Sequence, residues 1–300
     1  MSISKAYQVV TDRIIEVIET TGELPWRRPW RKSGTMVIGQ NHLSGKQYRG
    51  INAFTTAIFG EIAGFDSDRW VSYKQAKELG GQVRKGEKGI PIVFFKILEK
   101  SKEMTNVKTG GNEQVDMKIP FARYSTVFNL AQCEGIDYEP LPLTDEPEYD
   151  HDPIAEIEDR IYSFQNLPEI VHVADTRAFY RPSTDTVNVP ALSEFRTPEA
   201  YYCTLHHELI HASGHKERLN RRSLTDNHGF GSHEYSKEEL VAELGACFLN
   251  SDAGIFDANL LESAAYMKGW LKALKENPAW LVQSANAAQK AVDYYKGITP

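Results

Sequence analysis

Apolar residues recur with a helical rhythm through SISKAYQVVTDRIIEVIETTG, and Asp12, Glu16 and Glu19 fall inside it. That period predicts an amphipathic helix over about residues 4–21, stopped by Gly22. A second helical stretch runs from about Asn52 to Ile62. The segment RWVSYKQAKELGGQVRKGEKGIPIVFFKILEK reads as a short strand, a short helix ended by Gly80-Gly81, a basic turn and a strand. Residues 101–118 are polar and contain glycines, as in a hairpin excursion, and FARYSTVFNLAQC returns as a strand. The pattern is α+β with a small antiparallel sheet.

The pattern changes after residue 152. Pro153 to Leu167 reads as helix, and EIVHVAD and VNVP read as strands flanking a polar turn. TPEAYYCTLHHELIHASGH is a helix with Thr197 as N-cap and Pro198 at its first position. SKEELVAELGACFLNSDAG is another, with Ser236 as N-cap and Glu239 at the capping-box position. Two further helical patterns, LLESAAYMKGWLKALKENP and PAWLVQSANAAQKAVDYYKG, complete a mainly helical region. Between the halves, EGIDYEPLPLTDEPEYDHDP is rich in proline and acid and lacks an apolar period. The expected organisation is therefore a domain over 1–133, an extended linker over 134–152 and a second domain over 153–300. No internal repeat is apparent.

Charge sharpens this division. The net charge of −7 combines 20 basic and 13 acidic residues in positions 1–131 with 14 basic and 28 acidic residues beyond them. A basic half joined to an acidic half implies two different partners. No apolar run is long enough to cross a bilayer, and the N-terminus has the character of an amphipathic helix rather than a signal peptide. Three widely spaced cysteines (Cys133, Cys203 and Cys247) form no CxxC pair. They exclude a disulfide framework and place the chain in a reducing compartment, the cytoplasm.

The chemistry concentrates in LHHELIHASGH, residues 205–215. HELIH fits HExxH. On a helix, His207 and His211 share one face and reach one ion, with Glu208 beside the open position as the base that takes a proton from water. His206 points about 100° away from His207 and reads as structural. Gly214 ends the helix before His215, so His215 and Glu217 are minor candidates. A catalytic zinc takes three protein ligands. Glu239 and Glu243 lie one turn apart on the later helix, where Ala242 and Ala246 permit close packing. One carboxylate there completes a His-His-Glu site, and the other hydrogen-bonds a ligand histidine. This arrangement resembles the gluzincins, and the resemblance implies Glu239 as ligand and Glu243 as the supporting acid. His233, Tyr235 and Arg218 are near enough in sequence to be considered as oxyanion donors.

The basic half carries a different signal. WRRPWRK (26–32), KQYRGIN (46–52) and RWVSYKQAK (69–77) interleave aromatics with cations, and RKGEKG (84–89) is a glycine-flanked basic turn. Cations neutralise phosphates while aromatic faces stack unpaired bases, a combination that favours single-stranded over double-stranded nucleic acid. The candidate contacts are Trp26, Arg27, Trp30, Arg31, Lys46, Tyr48, Arg49, Trp70, Tyr73, Lys74, Arg84, Lys85 and Lys88.

Taken together, PWRRPW, GKQYRGIN, WVSYKQAKELGGQVRKGEKG, VFNLAQCEGI, HHELIHASGHKERLNR and EELVAELGACFL resemble the ArdC-type antirestriction proteins of conjugative plasmids over nearly the whole chain. The resemblance implies a single-stranded DNA-binding N-terminal domain and a zincin-like metallopeptidase domain. It also implies protection of incoming plasmid DNA from host restriction during conjugation. The expected cofactor is one Zn2+, with Mn2+ or Co2+ as substitutes. The expected partners are single-stranded DNA and a host restriction-system protein as target, with no membrane. Two alternatives stand beside it: a single-stranded DNA-binding protein with a purely structural metal, and a metal-dependent nuclease.

Overall fold

The computed structural model describes residues 3–22, 24, 37–105, 112–141, 153–172, 177–195, 197–225, 233–255 and 264–298. In chain order the elements are α1 (Ile3–Thr21), β1 (Gln40–Asn41), α2 (Ile51–Ala63), β2 (Arg69–Ser72), α3 (Tyr73–Glu78), β3 (Gln82–Val83), β4 (Ile90–Thr105), β5 (Asn112–Asn129) and β6 (Cys133–Glu134). There follow α4 (Pro153–Tyr162), β7 (Glu169–Val171), β8 (Phe179–Arg181), β9 (Thr186–Asn188), α5 (Pro198–Ser213), α6 (Arg222–Thr225), α7 (His233–Ala253), α8 (Ala264–Glu276) and α9 (Ala279–Tyr295). Among the described residues, no helix is long and apolar enough to cross a membrane.

The N-terminal region is the α+β unit its pattern predicts. One sheet runs β1-β2-β5-β4, parallel between β1 and β2 and antiparallel elsewhere. Most of it is the β4–β5 hairpin, paired from Ile90–Val127 out to Thr105–Asn112. β2 joins β5 only at residues 127–129, so the hairpin runs on far beyond its neighbour. Ser72 caps α3, accepting from the Gln75 amide while the Gln75 side chain accepts from the Ser72 amide, the reciprocal capping box. Gly22 and Gly64 end α1 and α2 with φ of 69° and 67°, a conformation glycine adopts without strain.

The C-terminal region is mainly helical, with a small sheet β7-β9-β8. Here the structure adds to the sequence reading. The stretch expected to be a turn contains β8, which pairs antiparallel with β9. α4 stops at Tyr162, and α7 begins at His233, three residues before the expected cap. Ser236 therefore lies inside the first turn of α7 instead of capping it.

One hydrophobic core spans both regions. Val10, Ile14 and Ile18 of α1 and Phe54 and Ile58 of α2 are buried with Leu240, Leu244 and Phe248 of α7 and Leu281, Val282 and Val292 of α9. α1 packs on α8 and α9 as well as on the hairpin. A second core lies behind α5, where Leu205 and Leu209 meet Ile157, Ile161 and Val187. The stretch expected as a linker is docked in its described part. Glu134 pairs with Gln82, Tyr138 Oη donates to Asp66 at 2.8 Å, and the Leu141 amide donates to the Asp66 carbonyl at 2.7 Å. Residues 142–152 lie outside the described residues.

Candidate metal centre

α5 owes its start to Thr197, whose Oγ1 accepts the Ala200 amide at 3.2 Å, and to Pro198 at its first turn. It ends at Ser213, one residue before Gly214, which leaves His215 off the helix. α7 crosses α5 closely because of Gly245. A Cβ there would lie 2.8 Å from three carbons of the Ile210 side chain, so only glycine permits this approach. Ala242, buried and small, helps the same crossing.

The crossing brings three ligand types together. Glu239 Oε2 lies 3.5 Å from His207 Nε2, and Glu239 Oε1 lies 3.6 Å from His211 Nε2. The two imidazoles meet edge to face with centroids 4.9 Å apart. One ligand atom from each of the three residues falls within 4.8 Å of the others. Bonds of about 2.1 Å at a tetrahedral angle separate neighbouring ligand atoms by roughly 3.4 Å. The trio therefore fits a small divalent ion. Glu208 is buried beside this cluster, and its charge acts on His211.

The electrostatics match a site built for positive charge. Burial alone disfavours a charged His211. Its bonds to Glu238 and Glu239, with the charges of Glu239 and Glu208, reverse that and take its pKa up to about 10. Burial likewise opposes ionisation of Glu239. Bonds to His207 and His211 nevertheless hold its carboxyl well below the ordinary range.

A carboxylate outside the sequence candidates supports His211. It is Glu238, which accepts from His211 Nδ1 at 3.4 Å. Arg221 holds this acid from Nε at 3.1 and 3.2 Å and from Nη2 at 2.5 Å, while Ser223 Oγ donates to it at 2.5 Å. Arg221 also ties itself to the Ser213 hydroxyl and the Ile210 carbonyl, each at 2.6 Å. Glu243 is buried one turn further along α7. Sequence reasoning missed Glu238, Arg221 and Ser223. The available signal was the Glu238-Glu239 pair itself, because adjacent helical residues face about 100° apart and serve two neighbours at once.

The remaining candidates separate. His206 is buried on the other side of α5, with Nδ1 2.7 Å from Asn250 Oδ1, and burial takes its pKa down to about 4. It is a neutral core histidine. His215 Nδ1 accepts the Glu217 amide at 3.3 Å, outside the metal cluster. Arg218 is not free to serve an oxyanion: it donates to both oxygens of Asp185 at 2.7 Å, to the Asn166 carbonyl and to the Ala212 carbonyl. The side chains of His233 and Tyr235 lie outside those described.

The basic candidates also divide. Trp70 is 1% exposed in the core and offers no face to a base. Tyr48 packs partly against the same core. Arg49 is ion-paired with Asp293 of α9, and the Gly50 amide donates to Gln289 at 3.1 Å, so KQYRGIN docks on the C-terminal region. Arg84 is spent on Glu87 and on the carbonyls of Ala131 and Cys133. Lys46, Tyr73, Lys74, Lys85 and Lys88 are exposed. A bond from Asn41 to Gln75 sets the turn that carries Lys46 beside the α3 start that carries Tyr73 and Lys74. Trp26, Arg27, Trp30 and Arg31 lie outside the described residues.

Fold and site define a zincin-like metallopeptidase domain joined to an α+β N-terminal domain. Residues 4–128 match the family model of the N-terminal domain of anti-restriction factor ArdC, and residues 162–287 match that of a zincin-like metallopeptidase. The metal-free crystal structure of the antirestriction protein ArdC from the R388 plasmid is 35% identical, covers 97% of each chain and gives a TM-score of 0.72. Its Mn(II)-bound structure is 34% identical, covers 99% of this chain and 98% of that one, and gives the same TM-score. The uncharacterized protein y4eC of Sinorhizobium fredii is 35% identical over 96% of this chain and 90% of its own length. A protein named DNA primase TraC from Escherichia coli is 35% identical over 96% of this chain, which spans only 20% of the primase. The chain belongs to the ArdC antirestriction family.

Proposed function

We propose that this chain binds single-stranded DNA through its basic N-terminal region and hydrolyses peptide bonds at a divalent ion held by His207, His211 and Glu239. Its role is to protect plasmid DNA entering a new host, with a protein of the host restriction system as the target. The observation that carries this reading is the convergence of two α5 histidines and one α7 glutamate within 4.8 Å, with Glu208 buried beside them. The ion is Zn2+, with Mn2+ and Co2+ as substitutes; the Mn(II)-bound R388 relative supports a divalent cation.

When bound, such an ion acidifies a water molecule and polarises the scissile carbonyl. Glu208 receives the proton of the attacking water and passes it to the leaving nitrogen, completing hydrolysis without net loss of charge from the site. Glu238 keeps His211 in the tautomer that leaves Nε2 available as a ligand, because Nδ1 carries the proton it donates. A lone carboxylate trio with bridging oxygens, as in two-metal nucleases, is not the pattern of this cluster. The primase activity in the name of the TraC relatives is not carried over, since four-fifths of that protein lies outside the match.

Glu208→Gln tests the reading. Metal content and oligo(dT) binding are expected to persist, while fragments of a host protein in extract supplemented with single-stranded DNA disappear. Full antirestriction by this variant in a conjugation assay would remove proteolysis from the mechanism.

A further inference from the structure

Beyond the basic clusters, the hairpin carries an aromatic pair that the site described so far does not use. Phe94 and Phe95 of β4 are 46% and 57% exposed. Successive strand residues point to opposite faces, so the two rings flank the strand on either side. β4 is the edge of the sheet, and at these positions the hairpin has passed the end of β2. Phe94 is in register with Arg123 of β5, whose guanidinium carbon lies 5.9 Å from the ring centroid. Lys96, also exposed, follows two residues along the same face as Phe94.

Two large exposed rings on a sheet edge call for a partner. An extended peptide adding to that edge is disfavoured by what lies next to them. The Val93 amide donates to Asn52 Oδ1 at 2.7 Å, and Asn52 Nδ2 donates to the Val93 carbonyl at 2.8 Å. The main-chain groups a new strand needs are already taken at Val93. The charges around the rings are cationic, within a half of the chain that carries net positive charge. Rings with adjacent guanidinium and ammonium groups are the components of a base-stacking site with phosphate contacts.

We propose that Phe94 and Phe95 stack bases of single-stranded DNA where it crosses the β4 edge, with Arg123 and Lys96 contacting the flanking phosphates. This rests on the single-stranded DNA reading above and assigns it a location none of the sequence clusters covers.

The test measures binding of the full chain to fluorescent oligo(dT) across a salt series, with Phe94→Ala/Phe95→Ala, Phe94→Leu/Phe95→Leu, Phe94→Tyr/Phe95→Tyr and Arg123→Gln. The alanine and leucine pairs are expected to weaken binding roughly ten- to hundredfold without changing the salt slope, since stacking releases no counterions. The tyrosine pair, which restores two π-faces, is expected to bind nearly as well as the parent. Arg123→Gln is expected to reduce the salt slope by about one counterion. Parent binding with unchanged affinity in the alanine and leucine pairs overturns the proposal while leaving the DNA reading intact. No binding by the parent overturns the DNA reading itself. Self-association that disappears in the alanine pair with DNA affinity unchanged also overturns the proposal, by making this edge a contact between copies.

Discussion

Arg221 and Glu238 form a buried ion pair directly behind His211, with Arg221 Nη2 2.5 Å from Glu238 Oε1 and Glu238 3.4 Å from His211 Nδ1. Neither residue belongs to the HELIH segment, yet together they fix the orientation of its second histidine. Burial pushes the Glu238 carboxyl up, but the Arg221 charge and the His211 bond prevail and hold its pKa at about 2.

Replacing Glu238 by Gln keeps the shape and removes the charge. The expected result is a ten- to hundredfold loss in affinity for Zn2+ or Mn2+, the usual cost of losing an outer hydrogen-bond partner. Competition with a chromophoric chelator measures it. Arg221→Met leaves the buried Glu238 with only His211 and the Ser223 hydroxyl as partners, and stability in a urea titration is expected to fall by about 3 kcal/mol.

The two acids one turn apart on α7 are expected to behave differently. Glu239→Ala should lower metal content from one equivalent to near zero, because Glu239 contacts both histidines. Glu243→Gln should retain one equivalent after dialysis. Elemental analysis of the purified variants distinguishes them, and retained metal in Glu239→Ala would remove it from the ligand set.

Proton linkage gives a third expectation. The raised His211 pKa means that at neutral pH a metal ion displaces a proton, so affinity should rise about tenfold per pH unit between pH 6.5 and 9 if no other group titrates. Isothermal calorimetry in buffers of different ionisation enthalpy counts that proton. In the absence of metal the sign reverses for stability. The stabilisation from a protonated His211 is complete below its ordinary value of 6.5 and is lost as pH climbs toward about 10. Glu238 acts at the other end: its contribution is present above 4.5 and is lost as pH falls toward about 2.

Gly50 tests the junction of the two regions. Its φ is 54°, and a Cβ there would lie 2.4 Å from Asn286 Oδ1 of α9. Gly50→Ala is expected to cost on the order of 1–3 kcal/mol in backbone strain and to lower the melting midpoint by several degrees. Because one core serves both regions, far-ultraviolet and tryptophan signals should shift together in a single transition.

What the sequence disclosed follows from which interactions are local. The start of α5 was legible because Thr197 and Pro198 act within one turn, and its end because Gly214 follows it. His207, Glu208 and His211 were legible because helical spacing alone sets them in one patch. Glu239 required a second element and came from resemblance as well as pattern. Glu238 was hidden because its role depends on Arg221, which reaches it from outside both helices. Trp70 reads as a nucleic-acid contact, and the partner of Arg49 goes unseen, because sequence shows residue chemistry without its neighbours. The core around Trp70 and the carboxylate of Asp293 are assembled only by the tertiary fold.

The core that joins α1 and α2 to α7 and α9 fixes the distance between the proposed DNA surface and Glu208. Two modules on a slack tether search a volume set by the tether's length, and either can reach partners bound some way off. Here the candidate metal centre is carried like the jaw of a caliper, at a set offset from the surface proposed to hold DNA. Under the proposed function, the nucleic acid is then an address as well as a ligand: proteins seated at that offset are presented for cleavage, and those elsewhere on the same strand are passed over.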